Sequence, residues 1–194
     1  MIKSESHKPT RRQKQKEETR SIILDTARAL FSEIGFTDTT IRKIAKKAEV
    51  GFGTVFNHFP DKSSLLIATL IDDLIKIQTE AMVCFPAVGS VSEKFLYLSH
   101  QFYLYYAKNP ALSRTLIKEM WFVKGEWGKI LKDQANQYLL LITKIIDEGK
   151  RNGEIKEDAI SGIIAASFFS QYYSVLLMGL NEEIFNPDDL VAIL

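Results

Sequence analysis

The sequence predicts an all-α fold on the basis of three observations. Apolar residues recur at steps of three and four along most of the chain, as they do in amphipathic helices. Capping signals precede these stretches: Ser90 and Glu93 have capping-box spacing, and Asn109-Pro110 is a cap followed by proline. The sequence shows no convincing strand alternation, hairpin signal or internal repeat.

Size and composition suit one or two domains with a substantial buried core. The chain has 194 residues, of which 46% are hydrophobic. Its single cysteine, Cys84, cannot form an internal disulfide and favours a reducing compartment. Residues 1–20 are polar and lack the apolar stretch of a secretion signal, so we expect a cytoplasmic protein.

The net charge of +1 hides a polarised distribution. Residues 1–65 contain 13 Lys and Arg against 8 Asp and Glu, whereas residues 66–194 contain 12 against 16. A basic N-terminal third suggests that this end of the chain meets a polyanion and that the acidic remainder does not. The alternative is a solvated basic tail.

The N-terminal third predicts two consecutive helices. The first carries an apolar stripe from Glu17 to Ile34 and ends at Gly35. The second begins after a cap at Thr39 or Thr40, whose side-chain oxygens can accept from the first helical N–H groups.

A short third helix, from Gly53 to Phe59, follows a break that contains Gly51 and places Val55 and Phe59 one turn apart. Two short helices joined by a glycine-containing turn are typical of a helix-turn-helix. In that arrangement the first helix holds the second, so that N-terminal side chains of the second reach base edges in the major groove. Other helical hairpins share the spacing, so the pattern alone leaves DNA binding and a structural hairpin both open.

Glycine, threonine, aromatic and apolar residues follow one another in a specific order between Ile22 and Leu66. They are Ala27, Leu30, Phe31, Gly35, Phe36, Thr39, Thr40, Ile41, Ile44, Ala45, Ala48, Val50, Gly53, Thr54, Val55, Phe59, Lys62 and Leu65. In this order they resemble the DNA-binding domain of TetR/AcrR-type transcriptional regulators. The resemblance implies a helix-turn-helix domain over residues 17–65 and a larger helical effector-binding and dimerisation domain over residues 66–194.

The resemblance also implies which side chains contact DNA. Thr40 sets the register on a phosphate, Thr54 opens the recognition helix, and Lys62 clamps a phosphate just beyond it. The expected DNA-binding residues are Thr39, Thr40, Arg42, Lys46, Phe52, Gly53, Thr54, Phe56, Asn57, His58 and Lys62.

Three of these positions depart from the family pattern. Phe52 stands where many relatives carry a polar residue, and its ring either contacts a thymine methyl or covers the core. Phe56 stands where a tyrosine is usual and therefore offers apolar contact alone. His58 replaces another common tyrosine, which makes binding pH-sensitive if the ring touches phosphate; a neutral surface histidine is the alternative.

Residues 1–16 form a flexible basic arm in this interpretation. The cations of the arm and of the start of the first helix are Lys8, Arg11, Arg12, Lys14, Lys16 and Arg20. The arm either follows the DNA backbone or enters a minor groove, which adds affinity with little sequence preference. A disordered solubility tail is the other interpretation, and the sequence leaves both open.

Aromatic residues are concentrated in the second domain, where most belong to a core rather than to a ligand site. The family nevertheless places an effector cavity among these helices, and ligand sites are typically apolar pockets with a few polar groups. We expect a small, mostly apolar effector. The candidate effector-binding residues are Phe95, His100, Gln101, Tyr103, Glu119, Trp121, Phe122, Tyr138, Phe168, Gln171 and Tyr172.

The segment from Ala159 to Asn181 contains no formal charge and is long enough to span a membrane. We reject a span because serines interrupt the segment and its nearest flanking charges are acidic. A helix buried on two faces fits better. One face meets the chain's own core through Ile160, Ile164, Phe168 and Tyr172. The other face meets a second subunit through the dimerisation residues Ile163, Ala166, Ser170, Tyr173 and Leu177.

These expectations describe a ligand-responsive transcriptional regulator, by analogy a repressor. It binds a near-palindromic double-stranded DNA operator as a homodimer and is released by a small-molecule effector. The three histidines and one cysteine form no recognisable metal or nucleophile constellation, so we expect no metal, no cofactor and no enzymatic activity. The alternative is a helical hydrophobe or lipid carrier without DNA binding.

Overall fold

Residues 10–194, the part of the chain that the computed structural model describes, contain nine α-helices and no strand. The predicted all-α class is therefore confirmed. The helices are α1 (Arg11–Asp38), α2 (Ile41–Lys47), α3 (Phe52–His58), α4 (Lys62–Val83), α5 (Val91–Ala107), α6 (Pro110–Met120), α7 (Gly125–Arg151), α8 (Ser161–Asn181) and α9 (Pro187–Ile193).

The helices form two compact units, one ending at Thr69 and the other running from Leu70 to Leu194. Helix α4 contributes its first residues to the first unit and the remainder to the second. The sequence interpretation placed the boundary at residue 65, within the first turn of the same helix.

Helix α1 begins earlier than the sequence analysis predicted. Thr10 caps it in a capping box: its hydroxyl accepts from the Gln13 N–H at 3.2 Å, and the Gln13 side chain accepts from the Thr10 N–H at 2.7 Å. Residues 11–16 are consequently helical, and the flexible arm predicted over residues 1–16 is wrong for that stretch. The remainder of the arm, with Lys8, lies outside the described residues.

Helix α1 breaks near its C-terminal end at Gly35, which has a φ of 78°. Glycine suits this position because it is the residue that enters the left-handed region without a steric penalty. The break agrees with the predicted helix end. Thr39 closes the following turn by donating its hydroxyl to the Gly35 carbonyl at 2.7 Å.

The turn between α2 and α3 is tight, and its strained residue is an acidic one. Glu49 has a φ of 54°, and the Val50 N–H donates to the Ala45 carbonyl at 3.0 Å. Gly51 then caps α3 with extended backbone. The turn brings α3 to pack on α2 through buried Ile44 and Val55, which is the predicted helix-turn-helix arrangement.

In the second unit, α7 and α8 form the most extensive helix pair, and α5 packs against α7 and α9. The buried core includes Leu98 of α5, Ile142 and Ile146 of α7, and Leu176 of α8. Capping fixes the starts of these helices. Ser90 and Glu93 form the predicted capping box of α5, and Asn109 and Asn186 cap α6 and α9 ahead of proline.

Candidate nucleic-acid interface and effector cavity

Helix α3 has one buried side and one exposed side. Val55 and Phe59 are 0% exposed and anchor the helix in the core of the first unit. The opposite side consists of Phe52, Gly53, Phe56 and Asn57, all of them exposed. We call these four residues the α3 flank. Its accessibility is what a recognition helix requires, because only an uncovered side can enter a DNA groove.

The α3 flank carries two exposed aromatic rings. Phe52 is 46% exposed and Phe56 is 42% exposed. Their ring centroids lie 4.8 Å apart in an edge-to-face arrangement, and the Arg42 guanidinium of α2 lies 5.8 Å from the centroid of Phe52. Of the two sequence interpretations of Phe52, the one that has it covering the core is therefore wrong.

Helix α2 presents cations beside α3. Arg42 and Lys46 are exposed one turn apart, and neither makes an ion pair with another residue of the range 10–194. Lys47, by contrast, pairs with Glu33 at 2.9 Å. Lys43 also has a partner, since its ammonium donates to the Asp38 carbonyl at 2.9 Å. Arg42 and Lys46 are therefore the α2 cations whose charge remains available to a polyanion.

Two predicted threonine contacts lie at helix starts. The Thr40 hydroxyl is exposed and caps α2 by accepting from the Lys43 N–H at 3.2 Å, which still leaves its own proton to donate. Thr54 lies half-buried in the first turn of α3. Both positions agree with the predicted roles without testing them.

Thr39 does not fit its predicted role as a DNA contact. The residue is 0% exposed, and its hydroxyl is donated to Gly35. A buried side chain cannot reach a phosphate. The structure thus corrects the prediction, because Thr39 closes the end of α1 and α2 begins only after Thr40.

Lys62 also differs from its prediction. Its ammonium donates to the Phe36 carbonyl at 2.7 Å and to the Thr39 carbonyl at 3.0 Å, and it lies 4.1 Å from the centroid of the Phe36 ring. Carbonyls at the end of a helix carry partial negative charge and attract a cation. In this structure Lys62 therefore holds the end of α1 against the start of α4 rather than projecting toward a phosphate.

His58 ends α3 in a half-buried position. Burial lowers its pKa below the usual value, and the positive charges of Lys16 and Arg20 lower the pKa further. The ring is therefore neutral at pH 7, in agreement with the alternative interpretation of a neutral histidine.

The first turns of α1 form a basic surface. Arg11, Arg12, Lys14 and Lys16 are exposed, and the Arg20 guanidinium lies 5.7 Å from the centroid of the buried Phe59 ring. The cations predicted for a flexible arm are thus, from Arg11 onward, fixed along a helix.

The second unit contains a small apolar cavity of about 80 Å³ that is partly open to solvent. Helices α4, α5, α7 and α8 supply most of its wall. The lining residues are Leu74, Gln78, Phe102, Tyr106, Met120, Leu131, Gln134, Ala135, Tyr138, Phe169 and Tyr172. None of these lining side chains, all within the described part of the chain, carries a formal charge.

The polar groups of the cavity are amides and phenols. The Gln134 amide of α7 donates to the Gln78 side-chain oxygen of α4 and so joins the two helices. Burial raises the pKa of Tyr106, Tyr138 and Tyr172 well above the usual value, so their hydroxyls are neutral at physiological pH. The cavity therefore suits an uncharged molecule.

Only Tyr138 and Tyr172 of the predicted effector residues line this cavity. Tyr103 is buried beside it and donates its hydroxyl to the Tyr172 carbonyl at 2.9 Å. Sequence reasoning missed Gln78 and Gln134. No local pattern distinguishes these glutamines from surface residues, and only the packing of α4 against α7 brings them together.

The other predicted effector residues lie elsewhere in the second unit. Phe95 and Phe168 stack at 4.2 Å and, with Gln171, line a separate groove on α5 and α8. His100 contacts Asp188 at 2.9 Å, and Gln101 and Glu119 are partly exposed.

The effector prediction is wrong for Trp121 and Phe122, which do not line the cavity. They are 63% and 82% exposed and belong to the turn between α6 and α7. The Trp121 indole N–H donates to the Tyr173 hydroxyl at 2.7 Å. Their sequence position beside aromatic core residues suggested the cavity, but the turn directs both rings outward.

Residues 23–69 match the sequence model of the tetR family of bacterial regulatory proteins. The HTH-type transcriptional regulator UidR of Escherichia coli K12 is 36% identical over 169 residues, which cover 81% of this chain and 80% of UidR. This chain belongs to the tetR family. Family members are DNA-binding transcriptional regulators and not enzymes, which excludes the alternative of a carrier without DNA binding.

Two further relatives extend the comparison. The HTH-type transcriptional repressor KstR of Mycobacterium tuberculosis is 24% identical over 141 residues, which cover 73% of this chain and 62% of KstR. The crystal structure of the transcriptional regulator FadR from Bacillus subtilis, in complex with stearoyl-CoA, has a TM-score of 0.69 and 20% identity. That similarity covers 90% of this chain and 96% of FadR, and it shows a shared fold.

Helix α8 of this tetR-family chain has an exposed apolar face. Ile163 is 61% exposed, Leu177 is 41% exposed and Met178 is 53% exposed. Ala166 and Ser170, also predicted to face a partner, are exposed, whereas Tyr173 is only partly so. Ile160, predicted to face the core, is 65% exposed, because it precedes the helix rather than lying within it.

By length and composition, α8 also passes as a membrane span, with a mean hydropathy of 1.5 in its most apolar window and 39% of that window buried. One such helix is weak support for a span, because the core helix of a globular domain has the same properties. Phe168, Tyr172 and Leu176 of α8 are buried in the unit and favour the second explanation.

Residues 10–194 bring together no group of three His, Cys, Asp or Glu side chains that would hold a metal ion.

Proposed function

We propose that this tetR-family chain is a repressor that binds a near-palindromic operator as a homodimer and leaves it when a small, uncharged, mostly apolar effector enters the α4–α8 cavity. The observation that carries the proposal is the α3 flank, exposed beside the α2 cations while Val55 and Phe59 hold the helix from behind. The name of KstR supports repression as the mode of control. A DNA-binding regulator acts in the cytoplasm, which we propose as its location.

The proposed DNA contacts fall into two classes. Thr40, Arg42 and Lys46 supply phosphate contacts, which set orientation and make binding sensitive to salt. Side chains of α3 supply contacts inside the groove. Those contacts come from Phe52, Gly53, Thr54, Phe56, Asn57 and His58.

Thr39 and Lys62 have positioning roles in this proposal. Both bind backbone carbonyls at the end of α1, directly before the cap of α2. They fix where α2 begins and therefore where its exposed cations lie.

Homodimerisation is proposed through the exposed face of α8. A helix with no formal charge and with Ile163, Leu177 and Met178 exposed presents an apolar surface larger than single scattered residues would give. A two-fold arrangement of two chains would present two α3 helices to half-sites about 34–36 Å apart.

Release by an effector requires that the effector bind the two states of the protein with different affinity. We propose that helix α4 couples effector binding to the first unit. Leu74 and Gln78 of α4 line the cavity, and Lys62 at the start of the same helix holds the end of α1. A molecule that replaces the Gln78–Gln134 bond with its own hydrogen bonds would change how α4 is held.

DNA binding is tested by titrating labelled duplexes, selected from a random pool, against the protein at several salt concentrations. We expect R42A and K46A to weaken binding and each to reduce the salt slope by about 2, since each removes one phosphate contact from each subunit of the dimer. Lys47→Ala is the matched control, because Lys47 lies on the same helix as Arg42 and Lys46 but pairs with Glu33 of α1. Equal salt slopes in all variants would contradict the proposed phosphate contacts.

The effector is tested by screening uncharged aromatic and aliphatic compounds for thermal stabilisation and then for loss of operator binding. We expect Gln134→Ala to weaken the response to any effective compound. Gln137→Ala is the control, since Gln137 is exposed on the same helix. If every stabilising compound leaves operator affinity unchanged, the release mechanism is wrong.

A further inference from the structure

Two exposed phenyl rings of the first unit lie outside its buried core. Phe52 and Phe56 lie one turn apart on the α3 flank and contact each other edge to face at 4.8 Å. The packing of α3 rests instead on Val55 and Phe59, which are 0% exposed. Exposed phenyl surface is unfavourable in water, so its position suggests a surface that another molecule covers.

The residues around the two rings indicate which kind of molecule binds there. The Arg42 guanidinium lies over Phe52 at 5.8 Å, and Lys46 is exposed one turn further along α2. Apolar rings bordered by available cations fit a polyanion that also offers apolar groups. Duplex DNA has both, and this chain belongs to a family that binds DNA.

The chemistry of the phenyl ring narrows the inference further. A phenyl ring has no hydrogen-bond donor or acceptor, so it cannot distinguish the N7, O6, N6 or N4 atoms of the bases. The apolar group that bases present in the major groove is the C5-methyl of thymine.

We infer that Phe52 and Phe56 form a single apolar contact for thymine C5-methyl groups and make thymine the preferred base where α3 meets each half-site. This inference rests on the DNA-binding role of α3. Arg42 has a positioning role as well as a phosphate-binding one: its guanidinium holds the Phe52 ring beside Phe56.

The test replaces thymine by uracil, which removes only the methyl group. Each thymine of a selected operator is replaced in turn by deoxyuridine, and the affinity of the wild-type protein is measured at fixed salt. We expect one or two positions in each half-site to lose about fourfold in affinity per methyl, the effect of exposing one buried carbon. All other positions should be unaffected.

A double-mutant cycle assigns the effect to the rings. With Phe52→Ala, the uracil effect at the contacted position should decrease, because half of the apolar contact is lost. With Phe52→Ala and Phe56→Ala combined, it should fall to less than about 1.5-fold, because neither ring remains to contact the methyl group. Phe52→Leu, which keeps an apolar side chain, should preserve part of the effect and covers the case in which F52A folds poorly. Ile22→Ala is the control, since Ile22 is 50% exposed on α1 and the uracil effect should persist.

The possible failures differ from one another. Salt-sensitive operator binding in which no uracil substitution weakens affinity overturns the methyl inference and leaves the DNA-binding role intact. A uracil effect that keeps its full size when Phe52 and Phe56 are both replaced by alanine places methyl recognition elsewhere and also overturns it. Absence of binding to any duplex overturns both this inference and the proposed function. Binding of the wild-type protein to anionic vesicles, lost in F52A, would make a lipid surface the partner of the rings and contradict the inference.

Discussion

Helices α3 and α8 both expose apolar side chains, but the charges around them differ. On α3, Phe52 and Phe56 lie beside the Arg42 guanidinium. On α8, Ile163 and Leu177 belong to a helix without formal charge. Apolar surface bordered by cations fits a polyanion, whereas apolar surface without charge fits a second copy of itself. The setting of an exposed hydrophobic residue thus indicates its partner better than its exposure does.

The largest expected effect comes from placing a charge on α8. Ile163→Asp would bury an unpaired carboxylate in the proposed dimer, at a cost of about 3–5 kcal/mol. We expect a monomer in light scattering at micromolar concentration and at least a hundredfold loss of operator affinity.

Val88→Asp is the matched control, because Val88 is 89% exposed in the segment between α4 and α5. It should remain dimeric. A dimeric I163D protein would show that the apolar face of α8 has another partner.

A second experiment separates positioning from contact within the first unit. Lys62→Met removes the cation that binds the Phe36 and Thr39 carbonyls, and we expect a loss of about 1–3 kcal/mol in unfolding free energy. Urea denaturation measures this loss. Lys46→Ala should leave stability unchanged and lower only the salt slope of DNA binding. If Lys62→Met left stability unchanged and lowered the salt slope of DNA binding, Lys62 would be a phosphate contact after all.

Replacing two glycines of the first unit by alanine should change the stability in opposite directions. A Cβ added at either Gly35 or Gly53 meets no atom within 4 Å, but only Gly35 has a positive φ, of 78°. Gly35→Ala should therefore lower stability by about 1 kcal/mol. Gly53→Ala should raise it by about 0.5–1 kcal/mol, because alanine adopts the helical φ of this position and lowers the conformational entropy of the unfolded chain.

Operator affinity completes this comparison. We expect G53A to bind DNA more weakly despite its greater stability, because the added methyl lies on the α3 flank. Thermal melts and operator titrations on the same preparations measure both quantities. Unchanged affinity in G53A would mean that DNA does not approach the backbone at Gly53.

The smallest expected effect concerns His58. Its folded pKa is lowered by burial and by Lys16 and Arg20, so the unfolded chain binds its proton more readily. The contribution of His58 to the free energy of unfolding should be fully present above the unfolded pKa of about 6.5. It should be lost as the pH decreases below that value. His58→Gln should flatten this dependence, measured by urea denaturation between pH 5 and 8. An equal slope in both proteins would assign the pH dependence to other groups.

Local chemistry explains what the sequence could predict. The starts of α5 and α6 follow from capping side chains within three residues of the helix, and the structure confirms them. The same signal exists at Thr10 and Gln13, where the surrounding residues are basic and polar and show no apolar periodicity. The start of α1 was therefore predictable.

The cavity could not be predicted in the same way. Gln78 and Gln134 are 56 residues apart and meet only because α4 packs beside α7. Trp121 is an aromatic residue of the kind that lines ligand sites, yet it lies in an exposed turn and contacts Tyr173 instead of the cavity. Periodicity predicts which side of a helix is buried, but it does not predict which neighbour covers that side.

The central claim is that the α3 flank, held by Val55 and Phe59, reads bases in a DNA groove. Selection of bound duplexes from a random pool, with the wild-type protein and with Asn57→Ala, tests it most directly. The account predicts that both proteins enrich inverted repeats with the same half-site spacing, while base preference within the half-site changes. Identical base preferences in the two proteins, or no enrichment by the wild type, would contradict it.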